Sequence, residues 1–519
     1  MIAKINSIAV NGVHSDLIEI EVDINNWLPS FVIVGLPDQW VQESKERIKS
    51  ALKSSWNKLP TNRITVNLAP ADIRKSWPSF DLAIAIWILL NGSFVLDQFI
   101  QKSIFIWELS LDWNLRKVTS VLPATIWAKE KWFKRIFVPK ANALEASIIP
   151  WIDVIVVDSL KHIISMLNWN QDLNIVELLD YKKFEKLKTK VILNDKFDFK
   201  YILWQDHAKR ALEIAASGWH NIIMDGPPWS WKTMLSKSLA SILPDLTIDE
   251  VIEVSKIYSI SWLLNEDNPI VLKRPFRTIH HTASRVSIVW GWRTAKPWEI
   301  SLAHKGVLFL DEILEFDKPV LEVLRQPLED WNISINRINA SYIYPASFIL
   351  VWSMNPCPCW YLTDPDKECI CSCRQIDNYR AKFSWPLIDR IDIFIDVPKV
   401  KTEKFQIWKN YSLSESSSKI KKRVEKARKF QLKRFKNLNI SFNSEMSTKE
   451  INKFCLLDEE SNEILKLSIN NLNLSARAYF RILKLSRTIA DLDWNENIIL
   501  KHIYEALSFR KKWDSFMNK

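Results

Sequence analysis

One octapeptide constrains this chain more than any other: Gly226-Pro227-Pro228-Trp229-Ser230-Trp231-Lys232-Thr233. It follows an apolar run, Asn221 to Met224, and opens a helix-like stretch, Met234 to Leu243. A strand, a tight loop ending in Lys-Thr and a helix form the arrangement of a phosphate-binding loop. Successive backbone N–H groups point at the phosphates, the lysine adds a point charge, and the threonine hydroxyl reaches Mg²⁺. The pattern G-x-x-x-x-G-K-[ST] is met at Gly226, Lys232 and Thr233, but position 231, its second required glycine, is Trp, and Trp also stands at 229. An indole at either place is expected to fill the phosphate cradle, and a bulky residue rarely adopts positive φ.

Composition resolves the conflict. The chain has 7 Gly and 26 Trp in 519 residues. Together they come close to an ordinary glycine content, which is about 7%. The tryptophans also stand where glycine chemistry belongs: Trp27 before Leu-Pro, Trp290-Gly291-Trp292 in a polar stretch, Trp331 after Glu-Asp, and Trp360 after Pro-Cys. Most of these Trp are therefore read as glycines. UGA would mean glycine in the source and would have been translated by a table in which it means Trp. The competing reading is a Trp-rich protein with a dead phosphate loop.

The length suggests roughly three domains. An apolar content of 47% and a charged content of 25% fit a globular protein with sizeable cores. The net charge of +11 permits an acidic partner such as nucleic acid, or serves solubility alone. The longest apolar run, Leu82 to Leu90, falls far short of the ~20 residues that span a bilayer. No basic-plus-apolar leader opens the chain. A cytoplasmic protein without a membrane segment is expected. Its clustered cysteines then suggest metal or free thiols rather than disulfides.

Residues 1–165 alternate short apolar runs (Ile5 to Val10, Leu17 to Val22, Phe31 to Val34, Arg63 to Asn67, Phe105-Ile106, Arg135 to Val138, Val154 to Val157) with helical ones (Val41 to Leu52, Asp81 to Leu90). This predicts an α/β domain. Asp38 is a candidate helix N-cap. No spacing picks out a nucleophile and its base. Residues 166–200 read as a Lys-rich linker. From 201 a nucleotide domain begins, with a helix from Gln205 to Ala216. The strand Val307 to Leu310 ends in Asp311-Glu312, the pattern of a buried parallel strand delivering carboxylates. Asp311 would join Thr233 on Mg²⁺, and Glu312 would polarise the attacking water. The strand Phe348 to Met354 ends in Asn355, which would orient that water or sense the γ-phosphate, or would simply cap the turn before Pro356. The segment Leu263 to Glu299, with Arg274, Arg277 and His280-His281, reads as a structural or ligand-contact loop. Neighbouring histidines on a strand face opposite ways.

Five cysteines follow in C-x-C, nine residues, C-x-C-x-C spacing. Cys357, Cys359, Cys369 and Cys371 form a candidate Zn²⁺ set, although the spacing is not the usual C-x₂-C. A cluster of reduced thiols is the alternative. Cys455 is expected in the core. Arg390, before the strand Phe394 to Val397, is either an arginine that reaches a neighbouring subunit's γ-phosphate or an ordinary surface residue. Residues 401–519 read as helical. Lys419 to Phe435 is a basic helix, either solvated or laid on a phosphate backbone. Ser475 is a candidate N-cap for a helix through Ala490, and a last helix is expected over Glu496 to Arg510. A small helical lid follows, with Arg477 aimed back at the nucleotide.

Several long strings carry a family resemblance: Leu28 to Asp38, Ile64 to Asp72, His207 to Glu213, Arg274-Pro-Phe-Arg277, Gly306 to Glu312, Leu324 to Asp330, Met354 to Cys359 and Leu474 to Arg477. Through them nearly the whole chain resembles the ComM/YifB family of magnesium-chelatase-like AAA+ ATPases. At most departures the family's glycine is Trp here, at 27, 204, 229, 231, 360 and 385 among others. The resemblance implies an α/β protein of three parts: a Lon-protease-like (ribosomal S5 domain 2-like) α+β domain at 1–165, an AAA+ P-loop core with a parallel sheet at 201–400, and a C-terminal helical lid at 401–519. It implies a hexameric ring using ATP and Mg²⁺, with Arg390 as an arginine finger in trans and Arg477 as a second sensor. Family members look like DNA branch-migration motors, so DNA is the expected partner. The alternative is the motor subunit of a chelatase-like complex acting on a protein. A protease is disfavoured, because no Ser–Lys dyad stands out.

Overall fold

The computed structural model describes residues 4–12, 14–26, 28–35, 39–54, 62–71, 80–89, 102–169, 175–176, 197–228, 230–265, 267–280, 299–337, 340–364, 366–382, 385–399, 414–438, 440–472 and 475–510. Most of the linker read over 166–200 lies outside them. So do Trp27, Asp38, Asp72, Trp229, His281, Trp290 to Trp292, Ser384 and Leu474. The chain forms two compact units: 1–191 with 248–272, and 192–247 with 273–519.

The first unit is built on a seven-stranded mixed sheet. Its order is Ser30–Val34, Arg63–Ala69, His14–Asn25, Lys4–Asn11, Ser103–Phe105, Arg135–Pro139, Asp153–Val157. Alternation in Arg63–Ala69 turns Ile64, Val66 and Leu68 into the core, as a period of two requires. The helices Gln39–Ser54 and Asp81–Leu89 pack together, and Arg47 donates from Nε to the buried Asp81 carboxylate at 2.7 Å. The helix Ile248–Ile260 joins this unit against Val121–Glu130, and Ser259 bonds the buried Glu145 at 2.5 Å.

The second unit holds a five-stranded parallel sheet. Its order is Phe276–Ile279, Gly306–Leu310, Phe348–Met354, Ile222–Asp225, Ile393–Asp396. The three central strands are buried along their full length, which is why they read as unbroken apolar runs. Helices Asp206–Gly218, Lys232–Ile242, Ser417–Arg434 and Ala476–Leu492 pack against one another around the same core. Ser475 caps the last of these by accepting from Ala478 N–H at 3.2 Å, as its sequence position predicts. The final helix is shorter than expected, Leu500–Ser508. The reason lies upstream, where the backbone carbonyls of Asn495 and Glu496 accept from the Arg487 guanidinium and the chain turns there.

The backbone bears directly on the tryptophan question. Among the described residues, ten of the thirteen non-glycine residues with positive φ are Trp. Five of them, Trp132, Trp219, Trp262, Trp331 and Trp494, stand just past helix ends. At Trp132 the next residue, Phe133, donates back to Ala128 O while Trp132 N–H donates to Lys129 O. The same pair of bonds recurs at Trp262 (Leu263 to Tyr258, Trp262 to Ser259) and at Trp494 (Asn495 to Ala490, Trp494 to Asp491). That is the Schellman helix ending, whose left-handed residue is usually glycine. Among the described residues the buried indole N–H groups of Trp107 and Trp219 also meet no acceptor, whereas a buried Trp normally finds one.

Candidate functional site: a nucleotide pocket at the carboxyl edge of the parallel sheet

All five strands of a parallel sheet end on one edge, and ligands bind there. The strand Ile222–Asp225 leads into the phosphate loop, and the helix starting at Lys232 leaves it. Gly226 has no room for a side chain, since a Cβ there would lie 2.2 Å from Val397 O. Position 231 takes φ 68°, ψ 9°, a left-handed conformation immediately before Lys232. The expected obstruction differs in detail at this residue: the Trp231 indole packs, partly buried, on the hydrophobic core. The backbone thus keeps the shape that a phosphate cradle needs.

Lys232 is the centre of the site. Its ammonium donates to the carbonyls of Gly226 and, at 2.9 Å, Met354, and to Asn355 Oδ1 at 2.9 Å. Burial pushes its pKa down to about 8, against the opposing pull of Asp225, Asp311 and Glu312. Thr233 Oγ1 donates to Asp311 Oδ2 at 3.4 Å, so the loop threonine and the acid at the end of Gly306–Leu310 face each other. Ser353 bridges the acids: its hydroxyl donates to Asp311 Oδ1 and accepts from Glu312 N–H at 3.2 Å. Glu312 is held left-handed, at φ 53°. The structure therefore brings Lys232, Thr233, Asp311, Glu312 and Asn355 together, and Ser230 closes the loop on Pro227 O at 2.7 Å.

The fit to a magnesium nucleotide rests on this donor set. A lysine, a hydroxyl–carboxylate pair and a left-handed loop residue just ahead of a helix N-terminus match a triphosphate and a hard cation. The helix dipole adds to the attraction.

The two arginines lie elsewhere. Arg390 is buried, at 4% exposure, and is bound to Pro386 O and to Glu329. Arg477 is mostly exposed, and among the described residues its ion pair is with Asp389 at 3.9 Å. Arg477, expected to aim back at the nucleotide, stands beside the turn that carries Arg390. Proximity has an electrostatic signature, because burial lowers the Arg390 pKa and the Arg477 charge lowers it further against Glu329. Next to them Asp392 ties the lid to the sheet, with Arg481 at 2.6 Å and the His220 ring at 3.4 Å. Burial resists its ionisation, but those partners outweigh that and hold it far below the usual carboxylate range.

The basic helix spends much of its charge internally. Arg423 pairs with Glu213 and Glu415, Lys421 with Asp245, and Arg434 with Asp491. In the loop expected to be structural or ligand-contacting, Arg277 pairs with Glu299 at 2.5 Å and Arg274 binds the Pro244 and Lys305 carbonyls. Both fit the structural option. Cys455 is buried, as expected. The sequence reading missed Ser353, although it stands two residues before Asn355 and so shares its face of the strand. It also missed Glu329, which only tertiary folding brings to Arg390.

Sheet order, loop and acid pair have the arrangement of a P-loop fold followed by a helical C-terminal region. Among known families, "Magnesium chelatase, subunit ChlI" matches residues 198–405, "Subunit ChlI of Mg-chelatase" matches 20–142, and "Magnesium chelatase, subunit ChlI C-terminal" matches 414–510. Competence protein ComM of Haemophilus influenzae is 40% identical over 510 residues, 98% of this chain and 97% of its own. The uncharacterized YifB proteins of Salmonella typhimurium and Escherichia coli are 34% and 35% identical, over 98% and 97% of this chain and 97% and 96% of theirs. The chain belongs to the ComM/YifB family of magnesium-chelatase-like AAA+ proteins. Among the described residues no helix is long and apolar enough to cross a membrane.

Proposed function

We propose that this chain is a cytoplasmic ATP-hydrolysing ring motor acting on DNA, with the domain division drawn from its sequence. The observation that carries the proposal is the convergence of Lys232, Asn355, Thr233 and Asp311 on one edge of the sheet. Lys232 would exchange its carbonyl partners for phosphate oxygens. Thr233 and Asp311 would hold Mg²⁺, which neutralises charge developing on the phosphates when bound. Glu312 would accept a proton from the attacking water, and Asn355 would orient that water. Arg390 lies away from this chain's loop, which suits service in trans in a hexamer, where it would leave Glu329 for a neighbour's triphosphate. Arg477, beside it, would act as the second sensor. Position 231, and with it the other left-handed Trp, would be glycine in the natural protein. Intact mass tests this: authentic protein should be lighter than the printed chain by about 129 Da for each such Trp, roughly 1.3 kDa for the ten left-handed positions.

DNA rests on the net charge of +11 and on the family, one of whose members carries the name competence protein. The test is ATP turnover by protein from a glycine-recoded gene, with and without single-stranded and branched DNA. Stimulation is expected, and an unchanged rate overturns the DNA assignment. The internal pairing of the basic helix favours one other reading, a chelatase-like motor that remodels a protein partner. The reading needs ATP and Mg²⁺ and leaves the four-cysteine cluster to a separate ion.

A further inference from the structure

Cys357, Cys359, Cys369 and Cys371 bring their sulfurs together within 4.8 Å of one another. Three of the Sγ–Sγ separations are 3.4, 3.7 and 3.5 Å. A disulfide would need about 2.05 Å. Four sulfurs at about 2.3 Å from a tetrahedral zinc lie about 3.8 Å apart, so the observed spacings are those of a mononuclear tetrahedron. The turn is shaped for it. Trp360 N–H closes on Cys357 O at 3.0 Å, with residue 360 left-handed at φ 74°. Backbone N–H groups of Leu362, Tyr361 and Ile370 are aimed at the sulfurs of Cys357 and Cys359. Such N–H···S bonds stabilise thiolates bound to a metal and orient them. Cys357 is fully buried and the other three are half-buried, whereas Cys373, the fifth cysteine, is exposed and outside the group. An all-sulfur tetrahedral set selects zinc or iron among the common metals.

The cluster also occupies a telling place. Cys357 stands two residues beyond Asn355, at the end of Phe348–Met354. Cys371 stands just before the helix Cys373–Arg380, which Ser372 and Gln375 lock with a reciprocal capping box. Beyond that helix, Lys382 Nζ donates to Leu314 O at 2.8 Å, in the turn that follows Glu312. Burial lowers the Arg380 pKa, against the pull of Asp225, the residue that precedes the phosphate loop, and of Cys357.

We infer that Cys357, Cys359, Cys369 and Cys371 bind one Zn²⁺ that clamps the end of the Asn355 strand to the helix Cys373–Arg380, and thereby holds the nucleotide site in shape. The ion site stands on its own geometry, while the coupling rests on the nucleotide reading above. The test begins with full-length protein from the glycine-recoded gene, purified without chelators, and elemental analysis of its metal. About one zinc per chain is expected. Cys359→Ser and Cys371→Ser should fall to background, and Cys373→Ser and Cys455→Ser should keep the metal. Because a ligand variant can misfold, wild-type protein is also exchanged with Co²⁺, which should give the intense visible bands of tetrahedral thiolate cobalt. Metal-free protein without such bands, equimolar iron, or a native disulfide among these four cysteines overturns the site. Stripping and restoring zinc in the wild type should weaken and restore Mg-ATP binding severalfold. Unchanged affinity overturns the clamp alone. Fully zinc-loaded protein that binds no ATP would sink the nucleotide reading and the clamp together while leaving the ion site intact.

Discussion

The two sheets of this molecule make opposite use of similar raw material. The seven-stranded sheet mixes directions, so its strand ends are divided between two edges, and its buried acids serve packing: Asp81 with Arg47, Glu145 with Ser259 and Asn142. The five-stranded sheet is parallel throughout, so Asp225, Leu310, Met354 and Asp396 all end on one edge. A lysine, two acids, a threonine and an asparagine gather there, although they are drawn from 226–355 of the chain. Strand direction, more than residue content, decides which unit concentrates chemistry.

The sharpest way to break that contrast is Glu312→Gln. It should cut ATP turnover by about 10²–10⁴ while leaving Mg-ATP affinity and thermal stability in place, measured by steady-state ATPase, titration and calorimetry. The mirror experiment is Arg47→Met in the other unit. Burial already raises the Asp81 pKa against the pull of Arg47, and removing the partner strands that acid. A loss of about 3–5 kcal/mol in the stability of the first unit is expected, read by denaturant unfolding, with nucleotide affinity unchanged.

Acid–base behaviour separates the units again. Without nucleotide, Lys232 loses its proton near pH 8, below the ordinary lysine value. Nucleotide binding needs the protonated form, so affinity should hold level below pH 8 and fall up to about tenfold per pH unit above it. Lys232→Arg should flatten that profile.

The smallest effect expected is Trp132→Gly in the printed chain. It should stabilise the first unit by about 1–2 kcal/mol, because a left-handed backbone penalises any side chain. The same change at Trp231 should add nucleotide binding to the gain in stability. A stability loss at either position would count against glycine as the natural residue.

Much of the second unit is legible in the sequence. Its central strands are continuous apolar runs that end in Asp225, Asp311-Glu312 and Asn355, and buried parallel strands leave that trace. Ser353 was hidden because a serine inside an apolar strand carries no signal until its neighbour on the adjacent strand is known. The Arg390–Glu329 and Arg477–Asp389 pairs join residues from separate elements, and local periodicity holds no information about them. The attachment of 248–272 to the first unit was invisible for the same reason, since contiguity in sequence argued for the second.

The recurring left-handed helix endings have a practical corollary for whoever clones the gene. If each left-handed Trp marks a codon that the source decodes as glycine and a laboratory strain decodes as stop, translation from the native DNA would halt no later than residue 113, the first of them. Dihedral angles then serve as proofreading marks: they nominate ten codons for rewriting before an oligonucleotide is ordered.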